Sequence, residues 1–273
     1  MLDRFNLTSA KPVATPMEPR AKFSKDQSPA SPTQVVKMRG VPYAEAIGSI
    51  LWPVMISRPD CAFAVSTLAQ FIQNPACVHW DAVKQVMAYM GGTKEYWLTF
   101  GGGALSKPIV KGFCDVDWAG QLHQHSILGY SFHIGQGAVT WSSKKQYIVA
   151  LSSTESEYIA LAHATKEGCW LRTFLSEIQN CQEESMGIDC NNQGAIALSK
   201  DNKFHQQMKH IDVRYHYIHA AVEDGKIKVK YIPTDQNLAD IFTKPLPKTK
   251  FRRFTAMLGL RPWREEMKND TQN

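Results

Sequence analysis

The chain reads as an α/β protein in which a mixed five-stranded sheet with flanking helices is preceded by a small all-helical unit. Three observations lead there. Helical apolar spacing without strand patterning fills residues 43–93, three short β-prone runs follow closely at 109–115, 128–134 and 137–143, and beyond a long helical stretch strand-like and helical segments alternate to residue 244.

The elements follow in order. Residues 10–34 are rich in Pro, Ser, Ala and Lys without periodicity, which predicts a flexible connector behind an N-terminal stub and no packed unit over 1–34. In 35–104, Ala44, Ile47, Ile50, Leu51 and Val54 form one helical face, Ala62, Val65, Leu68, Ala69 and Ile72 a second, and Val83, Val86, Met87 and Met90 a third. Arg58-Pro59-Asp60 and Asn74-Pro75 break them apart. This unit contains nothing resembling a catalytic cluster. In 105–247, the three β-prone runs predict an antiparallel meander, with Gly135-Gln136-Gly137 as the tight connection between the last two. A long helix over 154–179, a strand at 186–190, a short helix at 192–199, a helix at 208–224, a strand at 226–232 and a helix at 235–244 complete the set. Residues 248–273 are expected as a C-terminal helix and tail.

Composition narrows the function classes. With 273 residues and 44% hydrophobic content the chain can bury a sizeable core, and its net charge of +6 suits a polyanionic partner. The six cysteines, Cys61, Cys77, Cys114, Cys169, Cys181 and Cys190, include no CxxC pair, so neither a zinc knuckle nor a disulfide framework is indicated and reduced, packed thiols are expected. No apolar run reaches the roughly 18 residues that span a bilayer, and Asp3 and Arg4 precede any hydrophobic stretch. The expectation is an intracellular protein, cytoplasmic or nuclear, without membrane contact.

Four segments carry acid or amide residues beside an apolar run: GFCDVDWAG at 112–120, STESEYIAL at 153–161, IDCNNQGAI at 188–196 and NLADIFTKPL at 237–246. Any one Asp among them is unremarkable, since Asp is common at caps and turns. Four in succession, on strand tips and helix starts, suggest one site for divalent metal.

Their order and wording resemble the ribonuclease H domain at the end of copia-type retrotransposon polyproteins. WSSKKQ at 141–146, MKHIDVRYHYI at 208–218 and ADIFTKPLP at 239–247 are similar to the same family, and RFNLTSAKPVATPM at 4–17 and GSILWPVMISRPDCAFAV at 48–65 resemble the end of its reverse transcriptase. The resemblance runs from about Leu2 to about Pro262. It implies a ribonuclease H-like sheet preceded by a thumb- or connection-like unit that grips duplex. The Asp-Asp pair of the family's polymerase palm is absent from the sequence. It further implies hydrolysis of the RNA strand of RNA/DNA hybrids with Mg²⁺, Mn²⁺ also serving, and as partners a reverse transcriptase palm and other polyprotein products. Two Mg²⁺ ions about 3.5–4 Å apart, held by hard oxygen ligands, suit in-line phosphodiester cleavage.

Carried over residue by residue, the first carboxylate falls on Asp115, with Asp117 ranked second on the same strand face. The helix carboxylate is Glu157 or Glu155, which point about 200° apart. Ala160 and Ala164 after Glu157 allow close approach to the sheet, and Glu155 fits a capping box with Ser152, although Thr154 can cap with Glu157 in the same way. Glu157 is preferred. At the third position the family has Cys-Asp-Asn-Gln where this chain has Cys190-Asn191-Asn192-Gln193, so an uncharged amide stands in place of a ligand. Asp189 lies about one pleat, 6.6–6.8 Å, away and is too far to substitute. The fourth carboxylate is Asp240 at the start of the last helix. The metal set is therefore Asp115, Glu157 and Asp240, with Asn191 completing the catalytic positions and impairing activity; the alternative is an inactive remnant that only binds nucleic acid or has a structural role. Gln193, Lys144, Lys145, Lys209 and Arg214 are candidate nucleic-acid contacts, and His210 and His216 candidate proton-transfer or phosphate groups.

Overall fold

A computed structural model describes residues 1–100, 110–118, 125–179, 185–200 and 212–263. They fall into two compact units, one holding residues 1–100 and 244–263 and the other the described residues from 110 to 243.

In the first unit, α1 (Pro32–Met38) starts at Ser31, whose hydroxyl and the Gln34 side chain form a reciprocal capping box. Helices α2 (Tyr43–Ile56), α3 (Ala62–Ala69) and α4 (Cys77–Gly92) follow. The buried face of α2 is Tyr43, Ala46, Ile47, Ile50 and Val54, so Ala44 and Leu51 turn outward against the expected spacing. On α4 the expected stripe of Val83, Val86, Met87 and Met90 is buried. The Arg58-Pro59-Asp60 break does more than end a helix: Arg58 donates from Nε and Nη2 to the Asp60 carboxylate at 3.0 and 2.8 Å, and the Tyr89 hydroxyl donates to Asp60 at 2.6 Å. A buried pair of charges survives only when its polar atoms are satisfied in this way.

Residues 10–31 form no regular element beyond the 3-10 turn Lys25–Gln27, which Ser24 caps, and Thr15, Met17 and Ser24 within them are buried. The C-terminal segment carries a helix. After α8 (Lys248–Met257), the strand β7 (Leu260–Pro262) pairs antiparallel with β1 (Tyr96–Leu98), a connection across about 160 residues that local patterning cannot show.

The second unit is the mixed sheet, in the order β4-β3-β2-β5-β6 with β2 (Val110–Asp117), β3 (Ile127–Ile134), β4 (Gly137–Lys145), β5 (Met186–Cys190) and β6 (Ile227–Tyr231). The first three are antiparallel, and β5 and β6 run parallel to β2. Gly135, at φ 62°, makes the tight β3–β4 turn in a conformation that favours glycine. Helix α5 (Ser153–Gln179) covers one sheet face, where Cys114, Phe132, Tyr158, Leu161 and Ile188 form the core with Ile218 from α7 (Asp212–Glu223). α6 (Gln193–Leu198) adds Ala195, Ile196 and Leu198 to the same core. The expected helix over 235–244 is instead a shorter 3-10 helix, Leu238–Phe242, with every residue buried and Asp240 in its first turn. Among the described residues no helix is long and apolar enough to cross a membrane.

Candidate functional site

Strand alternation sets the site. Cys114 and Val116 of β2 enter the apolar clusters beneath α5, so Phe113, Asp115 and Asp117 point to the opposite face. Asp115, 1% exposed, lies directly across from Gly129 on β3. A Cβ on Gly129 would stand 2.6 Å from Phe242 Cβ and 2.9 Å from Thr243 Cγ2, so the missing side chain is what lets the 3-10 helix lie on the sheet. Asn237 fastens that segment, donating from Nδ2 to the Cys114 carbonyl at 2.8 Å and accepting from the Ala239 amide at 3.2 Å. At its other end the Thr243 hydroxyl donates to Asp115 Oδ2 at 2.6 Å and stands 3.2 Å from the Asp240 carbonyl oxygen. Asp240 is thereby brought, fully buried, to the Asp115 end of β2.

Position 191 follows from the parallel register. Phe113 pairs with Asp189, which puts Asn191, two residues on, level with Asp115. Asn191 Nδ2 donates to Asp115 Oδ1 and to Thr234 Oγ1, each at 3.3 Å. Its Oδ1 is buried without a hydrogen-bond partner among the described residues. Asp189 is engaged elsewhere, 2.9 Å from Lys111 Nζ, four residues back along β2 from Asp115.

Of the two helix carboxylates, Glu155 is taken up by the helix start. Its amide donates to Ser152 Oγ at 3.1 Å and its carboxylate accepts from the Leu151 amide at 2.7 Å. Glu157 is also buried. Hydrogen bonding with Cys190, burial, and the negative charges of Cys190, Glu157 and Asp115 push the Cys114 thiol well up, so Glu157 and Asp115 act on one and the same buried side chain. Cys114 and Cys190 stand behind the site as buried free thiols, and hydrogen bonding with Cys114 draws the Cys190 thiol below its usual range. Farther along the Asp115 face, burial, with Lys111 adding to it, lowers the His133 imidazole to about 4; its Nε2 lies 3.0 Å from Ser131 Oγ.

The nucleic-acid candidates separate. Lys144 pairs with Leu128 and Lys145 with Ile127, so they point to opposite faces: Lys145 shares the face of Asp115, and Lys144 lies on the α5 face with its Nζ 5.4 Å from the Tyr147 ring. Gln193 is exposed at the first position of α6, just after Asn192, whose Oδ1 accepts from the Ala195 amide at 2.9 Å. Arg214 falls in α7 with its side chain outside the described residues, as are Lys209 and His210, while His216 is exposed on α7. Thr243, Asn237, Thr234 and Gly129 were not singled out from the sequence; only the glycine inside a strand pattern gave a signal.

The donor set as it stands does not fit the divalent cation that the resemblance implies. Among the described residues no group of three or more His, Cys, Asp or Glu side chains could hold a metal ion, and both Asp115 oxygens accept from protein donors.

No protein-family model matches the chain. Of known proteins, it is 43% identical over 261 residues, 95% of its length, to the retrovirus-related Pol polyprotein from transposon TNT 1-94 of Nicotiana tabacum, and 36% identical over 262 residues to that from transposon RE1 of Arabidopsis thaliana. It spans only 19% and 17% of those two relatives. Among solved structures, LC11-RNase H1 in complex with RNA/DNA hybrid is 16% identical, covering 49% of this chain and 93% of that one at a TM-score of 0.38, a likeness too loose to carry weight. Near-complete coverage of this chain by the polyprotein relatives is what decides the family: it belongs to the retrovirus-related Pol polyproteins of copia-type transposons, corresponding to less than a fifth of their length.

Proposed function

We propose that the second unit is a ribonuclease H-like domain that holds an RNA/DNA hybrid at the Asp115 end of its sheet and cleaves the RNA strand poorly. The observation that supports this most is the contact of Asn191 Nδ2 with Asp115 Oδ1 at 3.3 Å. A carboxylate at 191 would join Asp115, Glu157 and Asp240 in attracting a cation; the amide instead donates a hydrogen bond to Asp115 and supplies no charge. Thr243 and Asn191, both neutral, donate to the two oxygens of buried Asp115 and so compete with an ion for them. Lys145, on the Asp115 face, is the proposed phosphate contact near the site, with Gln193 at the exposed start of α6. Binding to the reverse transcriptase palm and other products of the polyprotein, in an intracellular setting, belongs to the same proposal.

The test is cleavage and binding of a labelled hybrid in Mg²⁺ and in Mn²⁺. Salt-sensitive binding with slow cleavage, accelerated by Asn191→Asp, is the expected result. Binding without cleavage in either protein would make this unit a binding remnant, and rapid cleavage by the unaltered chain would refute the role given to Asn191.

A further inference from the structure

Helix α5 packs one side into the sheet core and leaves an apolar stripe on the other. Trp170, Phe174 and Ile178, spaced four residues apart along one helix face, are 56%, 44% and 65% exposed. The Trp170 and Phe174 rings stack, with centroids 5.4 Å apart and planes 10° from parallel, so they form a flat aromatic surface that is ordered before anything binds to it. The polar groups between them are satisfied within the helix. The Thr173 hydroxyl donates to the Cys169 carbonyl at 3.1 Å and the Ser176 hydroxyl to the Thr173 carbonyl at 2.8 Å. What the stripe presents to water is therefore contiguous apolar surface, the mark of an interaction face.

The charges at its ends decide what fits. Lys166, four residues before Trp170, and Glu177, next to Ile178, are both exposed, and neither forms an ion pair among the described residues. The other charged residues of this stretch are turned away: Glu167 accepts from the Thr140 hydroxyl at 2.6 Å, and Arg172 lies about 200° around the helix from both aromatic residues. A stripe that is positive at its N-terminal end and negative at its C-terminal end complements itself when a copy is laid against it in the opposite direction. With the two-fold axis level with Arg172, Trp170 falls opposite Phe174 of the second copy, and Lys166 falls within one residue of the second copy's Glu177, on the same side of the helix pair. A copy running in the same direction would set Lys166 against Lys166.

We propose that this face of α5 is the interface of a two-fold symmetric homodimer, in which two α5 helices pack antiparallel with Trp170 and Phe174 at the centre and a Lys166–Glu177 ion pair at each end. A single helix pair falls below the roughly 1,200 Å² of a stable interface, so the dimer is a dissociable one. The carboxylate site and its chemistry do not enter this inference.

The test is sedimentation equilibrium of the full chain in reducing buffer over a micromolar concentration series, where a reversible monomer–dimer equilibrium is expected. Phe174→Glu, at an exposed position, should leave the melting temperature unchanged and weaken association at least about tenfold. Lys166→Glu and Glu177→Lys should each weaken it about fivefold by setting like charges opposite one another, and the two together should restore it. These positions are about 16 Å apart along one helix, so the rescue cannot arise within a single chain. A chain that stays monomeric at every concentration would overturn the proposal and leave the stripe to a different protein. A dimer unaffected by Phe174→Glu, or a double swap that associates no better than either single change, would overturn it equally.

Discussion

Asn191→Asp tests the hydrolytic site through stability before any cleavage is measured. In the native protein the amide donates to Asp115 Oδ1 at 3.3 Å. The substitution removes a hydrogen bond to a charged group, about 1.5–3 kcal/mol, and places two carboxylates together, which costs about 4 kcal/mol at a 4 Å separation and an effective dielectric of 20. Thr234, now accepting from Asn191 at 3.3 Å, can rotate its hydroxyl to donate to the new carboxylate and offset part of this. A net loss of about 3–5 kcal/mol in EDTA near neutral pH follows, or roughly 10 °C in melting temperature at about 2–4 °C per kcal/mol. The sign with pH is set by the pair. Facing carboxylates raise the folded-state pKa above the unfolded value, so the penalty is present where both are ionised and disappears once pH falls below about 4. Mg²⁺ should reverse it, raising the melting temperature of the variant far more than that of the native chain. Hybrid cleavage should rise by at least about a hundredfold, since a correctly held metal contributes several kcal/mol of charge stabilisation. Equal melting in EDTA with no response to Mg²⁺ would refute the placement of the amide. If the native chain cut as fast as Asn191→Asp, and Asp189→Ala abolished cutting, the third position would be Asp189.

Gly129→Ala should destabilise the sheet by about 1–3 kcal/mol and weaken hybrid binding, because its Cβ would meet Phe242 at 2.6 Å; an unchanged thermal melt would contradict the close approach of the 3-10 helix. Glu155→Ala should cost about 1 kcal/mol through loss of the helix start, while Glu157→Gln should leave the melt nearly unchanged and abolish residual cleavage, a contrast read by calorimetry and a hybrid assay. Because burial lowers the His133 imidazole to about 4, the unfolded chain takes up its proton first as pH falls; stability is full above about pH 6.5 and declines toward pH 4 by on the order of 3 kcal/mol. His133→Asn should flatten urea midpoints over that window. Lys145→Glu should weaken hybrid binding and reduce the salt slope by about 0.9, with Lys144→Glu doing much less because it points to the α5 face; equal effects would mean that the sheet face does not decide phosphate contact.

Much of this protein was written locally. The β-prone run at 109–115, the long apolar repeat of α5 and the glycine turn at 135 needed no partner to be recognised. The replacement at 191 was equally visible, since it is a matter of residue type. What the amide does was not visible: its bond to Asp115 depends on the parallel register of β2 and β5, whose contacting strands are separated in sequence by all of β3, β4 and α5. Glu155 and Glu157 stayed ambiguous because both fit a cap, and the Leu151 amide decided which one the helix start uses. Asp240 lies near a helix start as its sequence context suggests, but the helix is shorter and tighter than the apolar pattern drew it, a 3-10 segment packed against Gly129. The pairing of β7 with β1 is the clearest case of a decision made in three dimensions. Three-residue strands carry almost no periodic signal, so only the backbone hydrogen bonds between them show that the chain's end completes the unit with which it began.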